Sequence, residues 1–264
     1  MESKIEWERV ELLWREFLAI PINSPDIMLQ WLLEELKSLC RAQQSTCVLC
    51  LNDMSPSLRR NDPRLGWRAV AWVPSATNPF QDMTYAKRWA EDPSNVADNE
   101  CYLGFVRDAG TTRSFIMDDV MPGATPEEAR KDGLYRYYQV QDRLVGIHAI
   151  SPKIEVYFYL DRESDERFGT LERDQLQYIL EGLGPFCRRL AFSYGLLNGQ
   201  TKLSPRERET FLFLLGDKSE KEIAAEMGLS LRSAHQNVVA VYRKLGFSSR
   251  ASLMSSWMDL QGGS

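Results

Sequence analysis

The strongest constraint on the fold is a C-terminal series of short helices whose ends are marked by capping residues. In "SPRERETFLFLLG", Ser204 is the expected N-cap and Pro205 takes the first helical position. Glu207, three residues after the cap, completes a capping box. Gly216 is the expected stop signal. This segment therefore predicts one helix with both ends defined.

The same signals recur twice more along the chain. In "SEKEIAAEMG", Ser219 and Glu222 form a second capping box, and Gly228 ends a helix of about two turns. Ser230 then caps "LRSAHQNVVAVYRKLG", which ends at Gly246. A fourth helix, "ASLMSSWMDL", follows "FSSR". A short helix, a tight turn and a longer helix are typical of a helix-turn-helix unit.

The longer helix has one apolar face and one polar face. The apolar stripe, at spacings of three and four, consists of Ala234, Val238, Val241 and Leu245. The residues expected to face DNA bases are Arg232, His235, Gln236 and Val239. Gln can pair with adenine, His can donate to guanine, and Val can touch a thymine methyl. Phosphate contacts are predicted for Lys221, Arg243, Lys244 and Arg250.

The segment "LSPRERETFLFLLGDKSEKEIAAEMGLSLRSAHQNVVAVYRKLGFSSRASL" is similar along its length to the LuxR-type helix-turn-helix domain of bacterial transcription regulators. The resemblance is carried by "LSPRERE", "SEKEIAAEMGLS", "YRKLG" and "SRASL". It implies a four-helix domain that binds double-stranded DNA, with homodimer contacts through the last helix and palindromic sites.

The chain departs from the family pattern on the recognition helix. Where the family usually has Thr-Val-Lys-x-His, this sequence has "SAHQN", so that His235 replaces a lysine. Val239 also occupies a position where a basic residue is common. This loss of positive charge motivates a second hypothesis, in which the helices sequester or heterodimerise with another regulator instead of binding DNA.

Charge and composition agree with a two-part protein. From Gln200 onward there are nine Lys or Arg and seven Asp or Glu. The rest of the chain has 23 Lys or Arg and 30 Asp or Glu, so its net charge is negative. The start lacks the pattern of a signal peptide, and no window is apolar enough for a membrane helix, so a cytoplasmic location is expected. Five cysteines at irregular spacing indicate reduced thiols. "CVLC" is interpreted as a buried strand, and no metal or cofactor is predicted.

The stretch "FIMDDVMPG" resembles the strand end that carries the phosphorylated aspartate of receiver domains, with Asp118 as the candidate. A receiver also needs an acidic pair earlier in the chain to hold Mg²⁺, and a later lysine. "RAVAWVPSA" has no acid and "ERFGTLERDQ" has no lysine at the required distances. Asp118 is therefore rejected as a phosphoacceptor, and a turn followed by a helix from about Thr125 is predicted instead.

The first part of the chain, residues 1–195, is predicted to be an α+β domain with two N-terminal helices. Alternating or apolar runs predict five strands, at Thr46–Leu51, Arg68–Val73, Ser114–Met117, Leu144–Ile150 and Glu155–Leu160. One long helix from about Glu172 to Leu197 is expected to close the domain. Residues 196–202 form a linker, and 203–264 form the helix-turn-helix domain.

The segment "VYFYLDRESDERFGTLERDQLQYILEGLGPFCRRLAF" resembles the end of a GAF domain, which implies a GAF- or PAS-like sensor with an antiparallel sheet. An unidentified small molecule is a candidate partner. Acyl-homoserine-lactone receptors are an alternative, because "YAKRWAEDP" offers Tyr85, Trp89 and Asp92. Their spacing fits that family poorly, and a surface helix ending at Asp92 is favoured. The aromatic "DGLYRYYQVQDRLVG" suits either a pocket or ordinary packing. With no phosphate loop or nucleophile elbow, and with His148 in an apparent strand, no enzyme is predicted.

Overall fold

In the computed structural model, the described residues are 2–52, 62, 64–92, 106–120, 133–197 and 202–260. They form two compact units. The first contains Met1–Ala19 and Leu29–Leu183, and the second contains Ile20–Met28 and Gly184–Ser264. None of the helices in this described part has the length and apolar character needed to cross a bilayer.

The first unit is built on a five-stranded antiparallel sheet. Its strands are β1 (Gln44–Asn52), β2 (Trp67–Pro74), β3 (Arg113–Ile116), β4 (Asp142–Ser151) and β5 (Ile154–Arg162). Their order in the sheet is β2-β1-β5-β4-β3. All five strands predicted from the sequence are confirmed within a few residues at each end. The α+β class is also confirmed, and the GAF- or PAS-like description fits approximately.

Helices flank the sheet and precede it. They are α1 (Glu2–Phe17), α2 (Pro25–Leu39), α3 (Thr84–Glu91), α4 (Met117–Val120), α5 (Gly133–Tyr137) and α6 (Thr170–Gly182). Asp118 lies exposed in α4, directly after β3. The helix predicted from about Thr125 falls outside the described residues, as do Cys101 and the Met-Pro-Gly end of "FIMDDVMPG".

One face of the sheet is sealed by apolar helices. Leu32, Leu33 and Leu36 of α2 are fully buried, and the Ser45 hydroxyl donates to the Leu33 carbonyl oxygen at 3.0 Å. A Cβ atom at Gly146 of β4 would lie 2.9 Å from the Leu176 side chain of α6. Glycine at this position therefore lets α6 approach β4 closely.

His148 lies on the same helix-covered face, on β4. It is buried, and its Nδ1 lies 2.9 Å from the Leu180 carbonyl oxygen of α6. This contact confirms the interpretation of His148 as a core histidine whose ring is hydrogen-bonded.

The prediction of one long closing helix was wrong. The structure has α6 and then a separate helix, α7 (Gly184–Ser193), with a break at Leu183. The sequence at the break is Gly-Leu-Gly-Pro. Pro185 has no N–H to donate to the preceding turn, and its ring crowds the carbonyl there. A new helix can therefore begin with Pro185 in its first turn, but α6 cannot run through it.

The second unit contains α7 and four further helices. They are α8 (Pro205–Leu214), α9 (Glu220–Glu226), α10 (Leu231–Leu245) and α11 (Arg250–Asp259). The compact unit starts at Gly184 and includes Ile20–Met28, so it is larger than the predicted domain of 203–264. The domain boundaries proposed from the sequence remain a prediction.

Candidate nucleic-acid interface and an aromatic-lined cavity

The predicted caps of the C-terminal helices are present. The Glu207 N–H donates to Ser204 Oγ at 3.3 Å, and the Ser204 N–H donates to Glu207 Oε2 at 2.6 Å. Ser219 and Glu222 make the equivalent pair at the start of α9. The turn after α9 contains Gly228 with a φ of +63°, a left-handed conformation that favours glycine. The helix-turn-helix predicted from the sequence is confirmed.

The two faces of α10 are as predicted. Its buried residues are Ala234, Val238, Val241 and Leu245. The predicted base-facing residues, all exposed, are Arg232, His235, Gln236 and Val239. His235 Nδ1 lies 3.0 Å from Glu220 Oε2, at the start of α9. Arg232 and Gln236 are thus presented on an open polar surface, whereas His235 already has an acidic neighbour.

The four predicted phosphate-binding residues fall into two groups. Lys221 and Arg243 are exposed. Lys244 is half-buried, and its Nζ donates to Glu207 Oε2 at 2.6 Å and to the Lys202 carbonyl oxygen at 3.3 Å. Burial raises the pKa of Glu207, but the hydrogen bonds from Lys244 and Ser204 and the Lys244 charge together outweigh burial, so the pKa lies below its ordinary value. The charge of Lys244 is therefore largely neutralised inside the unit.

Arg250 is the other cation with internal partners. Its guanidinium donates to four main-chain carbonyl oxygens at the end of α8 and just beyond, namely those of Phe213, Leu214, Gly216 and Lys218, at 2.6–3.2 Å. The last turn of α8 supplies the Phe213 and Leu214 acceptors, and the turn that follows supplies those of Gly216 and Lys218. The contacts give Arg250 a clear role in holding the unit together, whether or not it also contacts phosphate.

The core of the second unit includes α7. Phe192 packs against Phe211 and Trp257, with ring centroids 5.8 and 6.1 Å away. The N-terminal segment Ile20–Met28 also joins this unit, because Asp26 forms a two-pronged ion pair with Arg208 of α8. The Arg208 guanidinium lies 4.0 Å from the ring centre of Tyr194. Residues before position 203 therefore help to hold the helix-turn-helix.

A cavity of about 170 Å³ lies in the first unit, on the face of the sheet opposite α2 and α6. Its sheet wall is formed by alternate residues, Thr46 and Val48 of β1 and Tyr157 and Tyr159 of β5. The remaining walls come from β2, α3, α4 and α5, and include Trp67, Trp72, Trp89, Tyr135 and Tyr138. Among the described residues, seven aromatic side chains therefore line the cavity, four of them tyrosines and three tryptophans.

A buried ion pair forms one end of the cavity wall. Arg143 Nε and Nη2 donate to the two carboxylate oxygens of Asp161 at 2.6 and 2.9 Å. The guanidinium lies 5.0 Å from the ring centre of Tyr135 and 4.7 Å from that of Tyr159. Burial lowers the pKa of Arg143, but the charge and hydrogen bonds of Asp161, together with Tyr135 and Tyr159, outweigh burial. The pKa of Arg143 therefore lies above its ordinary value, and the guanidinium stays charged.

The hydrogen-bond partners of Gln44 and Thr46 and the protonation of Cys50 describe three other residues of the cavity wall. The Gln44 amide nitrogen donates to the Tyr138 carbonyl oxygen at 2.7 Å and to Glu163 Oε1 at 3.0 Å. Thr46 Oγ accepts from Asn78 at 3.4 Å. Burial raises the pKa of the Cys50 thiol, which stays protonated and is a poor nucleophile.

The sequence analysis found only part of this cavity. Of the candidate residues in "YAKRWAEDP", Trp89 lines the cavity, whereas Tyr85 stacks on Tyr137 with centroids 4.3 Å apart and Asp92 is exposed. The residues missed were those on the sheet, including Arg143 and Asp161. The alternation in "IEVYFYLDR" was a usable signal, because Tyr157, Tyr159 and Asp161 occupy the positions between the apolar ones. The described residues contain no group of three metal-ligating side chains.

Comparison with known proteins separates the two parts of the chain. Residues 201–256 match the family model described as bacterial regulatory proteins, luxR family. No curated protein matches the chain.

Solved structures with weak similarity include Escherichia coli SdiA, at 13% identity and a TM-score of 0.43, covering 97% of this chain and 99% of that one. For SdiA in complex with octanoyl-rac-glycerol, the identity is 13% and the TM-score 0.44, and the match covers 96% of this chain and 94% of that one. For the LBD domain of VqsR from Pseudomonas aeruginosa, the identity is 13% and the TM-score 0.43, and the match covers 66% of this chain and 94% of that one. Likenesses this weak support no transfer of a fold or a ligand.

Proposed function

Because the C-terminal helices are a LuxR-family regulatory domain, we propose that the chain is a transcription regulator that binds palindromic DNA as a homodimer. The N-terminal unit controls this activity as a sensor of a small molecule. The observation that supports the proposal most is the exposed polar face of α10, which carries Arg232 and Gln236 within a fully capped helix-turn-helix. Such a helix can enter the major groove and present side chains to base edges.

The test is selection by the full-length chain from a pool of random duplex DNA at two salt concentrations. Enrichment of a palindrome, with an affinity that falls as salt rises, supports a dimeric DNA-binding protein. Binding with no sequence preference contradicts the role proposed for α10. Sedimentation of the protein–DNA complex gives the number of chains per site.

A second candidate function follows from the internal contacts of the cations. Lys244 and Arg250 are engaged by acceptors of the unit itself, and His235 faces Glu220. Because these side chains already have partners, fewer of them are available to DNA. In this alternative, the helix-turn-helix binds and sequesters another regulator. Absence of DNA binding by the full chain at low salt, with retained binding to a second helix-turn-helix protein, favours this candidate.

Gln236→Ala is expected to weaken binding at particular bases only. Loss of one bidentate contact reduces affinity by about 1–3 kcal/mol for the preferred base, with little change where that base is already absent. The measurement is a titration of the variant against the selected site and its single-base variants. Gln177→Ala on α6 in the first unit is the matched control. Equal losses on every sequence show that Gln236 does not read bases.

His235→Lys is expected to strengthen DNA binding and to steepen its dependence on salt. The lysine supplies a positive charge on the exposed face of α10, and each added phosphate contact changes the slope of log affinity against log salt by about 1. The control Leu18→Lys adds the same charge at an exposed position of the first unit. An unchanged slope for His235→Lys places position 235 away from the DNA backbone.

A further inference from the structure

The size of the cavity on the β1–β5 face limits what can occupy it. Its volume is about 170 Å³. Apolar protein cavities of roughly 150 Å³ bind benzene, whereas pockets for drug-sized molecules run from about 300 to 1,000 Å³. The space therefore suits a molecule built on a single ring with small substituents.

The walls favour a ring with π electrons. Trp67, Trp72 and Trp89 line one part of the cavity, and Tyr157 and Tyr159 line the sheet side. Aromatic side chains pair with an aromatic ligand in stacked or edge-to-face geometry, which adds stabilisation beyond that of buried apolar area. An aliphatic ring of the same size lacks that contribution.

The charged groups in the walls favour a neutral ligand. Arg143 is paired with Asp161 through two hydrogen bonds, and the side chains are 11% and 5% exposed. Arg68 is paired in the same way with Asp62. Arg64, the third arginine of the wall, donates through Nε to the Ala90 carbonyl oxygen at 2.6 Å. A carboxylate ligand therefore has to compete with an existing partner of one of these arginines, which is unfavourable in a largely buried site.

Two buried polar residues can orient a ligand that carries a hydroxyl group. Gln44 is 2% exposed and uses its amide N–H groups on Tyr138 and Glu163, so its carbonyl oxygen is the atom able to accept from a ligand. Thr46, 8% exposed, accepts from Asn78 and has a hydroxyl proton to donate. They are separated by one residue on the same face of β1, as expected for a small polar recognition patch.

The geometry points to a binding site for a small, neutral, single-ring aromatic compound bearing a hydroxyl or ester group. The inference names a ligand class for the sensor in the proposed function, and its regulatory meaning rests on that proposal. Binding itself depends only on the first unit, so it can be measured with no DNA present.

The test uses three matched probes with the full-length chain in isothermal titration calorimetry. They are methyl 4-hydroxybenzoate, its anionic counterpart 4-hydroxybenzoate, and methyl 4-hydroxycyclohexanecarboxylate, which keeps the shape without the π system. The methyl ester of the aromatic acid is expected to bind about tenfold more tightly than either of the others. Equal or tighter binding of the anion or of the cyclohexane compound overturns the ligand class, and no binding of any probe overturns the site.

Two variants locate the binding. Ala86 of α3 is 2% exposed and lines the cavity, so Ala86→Leu fills it and is expected to abolish binding of the aromatic ester. Lys87→Leu introduces the same side chain at the adjacent exposed position and is expected to leave binding unchanged. Thr46→Val keeps the shape and is expected to weaken binding about fivefold through loss of one hydrogen bond.

The outcomes separate the site from the proposed function. Ester binding retained in Ala86→Leu, or unchanged in Thr46→Val, contradicts the placement, and if Ala86→Leu fails to fold then Thr46→Val decides. A chain that binds the ester in the cavity but never binds DNA supports the site and contradicts the proposed function. A chain that selects a palindrome but binds no probe contradicts only the site.

Discussion

Replacing Arg162 with alanine is expected to destabilise the N-terminal unit by about 3–5 kcal/mol. Arg162 lies at the end of β5 and is fully buried. Its Nη2 donates to the Cys40 carbonyl oxygen at 2.9 Å and to Glu172 Oε1 at 3.0 Å. Its Nη1 donates to the Arg167 carbonyl oxygen at 2.5 Å. One side chain therefore joins the segment before β1, the loop after β5 and the start of α6.

The size of the effect comes from the groups that are left behind. Without the guanidinium, the Glu172 carboxylate loses its ion pair, and the Cys40 carbonyl oxygen loses its donor in a buried position. The guanidinium carbon also lies 4.1 Å from the ring centre of Phe168, a contact that alanine removes. Arg162→Lys keeps the charge without the planar fork, so it is expected to lose part of the stability only.

Urea denaturation of the full chain gives the loss, and amide hydrogen exchange in β1 and β5 assigns it to the N-terminal unit. Arg173→Ala is the control, because its ion pair with Asp174 lies at the surface and contributes about 0–1 kcal/mol. A loss for Arg162→Ala no larger than that of the control contradicts a structural role for this arginine.

Replacing Arg250 with lysine is expected to destabilise the second unit by about 2–3 kcal/mol. Lysine keeps the positive charge but cannot bond four carbonyl oxygens at once, and each hydrogen bond that is lost contributes about 0.5–1.5 kcal/mol. Arg243→Lys is the matched control, since Arg243 is exposed on α10 and its replacement leaves the net charge unchanged.

DNA binding of the same pair of variants tests the two roles of Arg250. If this residue acts chiefly as a phosphate contact, lysine preserves both stability and the salt slope. If it holds the end of α8, Arg250→Lys lowers the melting temperature, and DNA affinity falls only under conditions where the unit begins to unfold. A variant as stable as Arg243→Lys contradicts the carbonyl contacts as a source of stability.

Local signals in the sequence predicted most of the secondary structure. Ser204, Ser219 and Ser230 set the starts of α8, α9 and α10 because capping depends on residues only three positions apart. The strands followed from alternation of apolar residues, which is equally local. The missed break at Leu183 was also a local feature, since Pro185 was visible in the sequence.

The cavity and the internal partners of the cations were beyond local reasoning. Gln44 and Tyr138 are 94 positions apart, and their hydrogen bond forms only once β1 and α5 are in place. The carbonyl oxygens that bind Arg250 lie 32–37 positions before it. A basic residue on a helix-turn-helix looks the same in sequence whether it is held by its own backbone or is available to a phosphate.

The ion pair between Asp26 and Arg208 has a consequence for how this protein can be divided. The backbone passes between the two compact units three times, because Ile20–Met28 belongs to the C-terminal one. A chimera that joins residues 203–264 to a foreign sensor leaves Arg208 without its acid and removes Phe192 from the core. The two units are therefore not interchangeable modules, and a transplant of residues 203–264 has to carry the N-terminal segment and α7 with it.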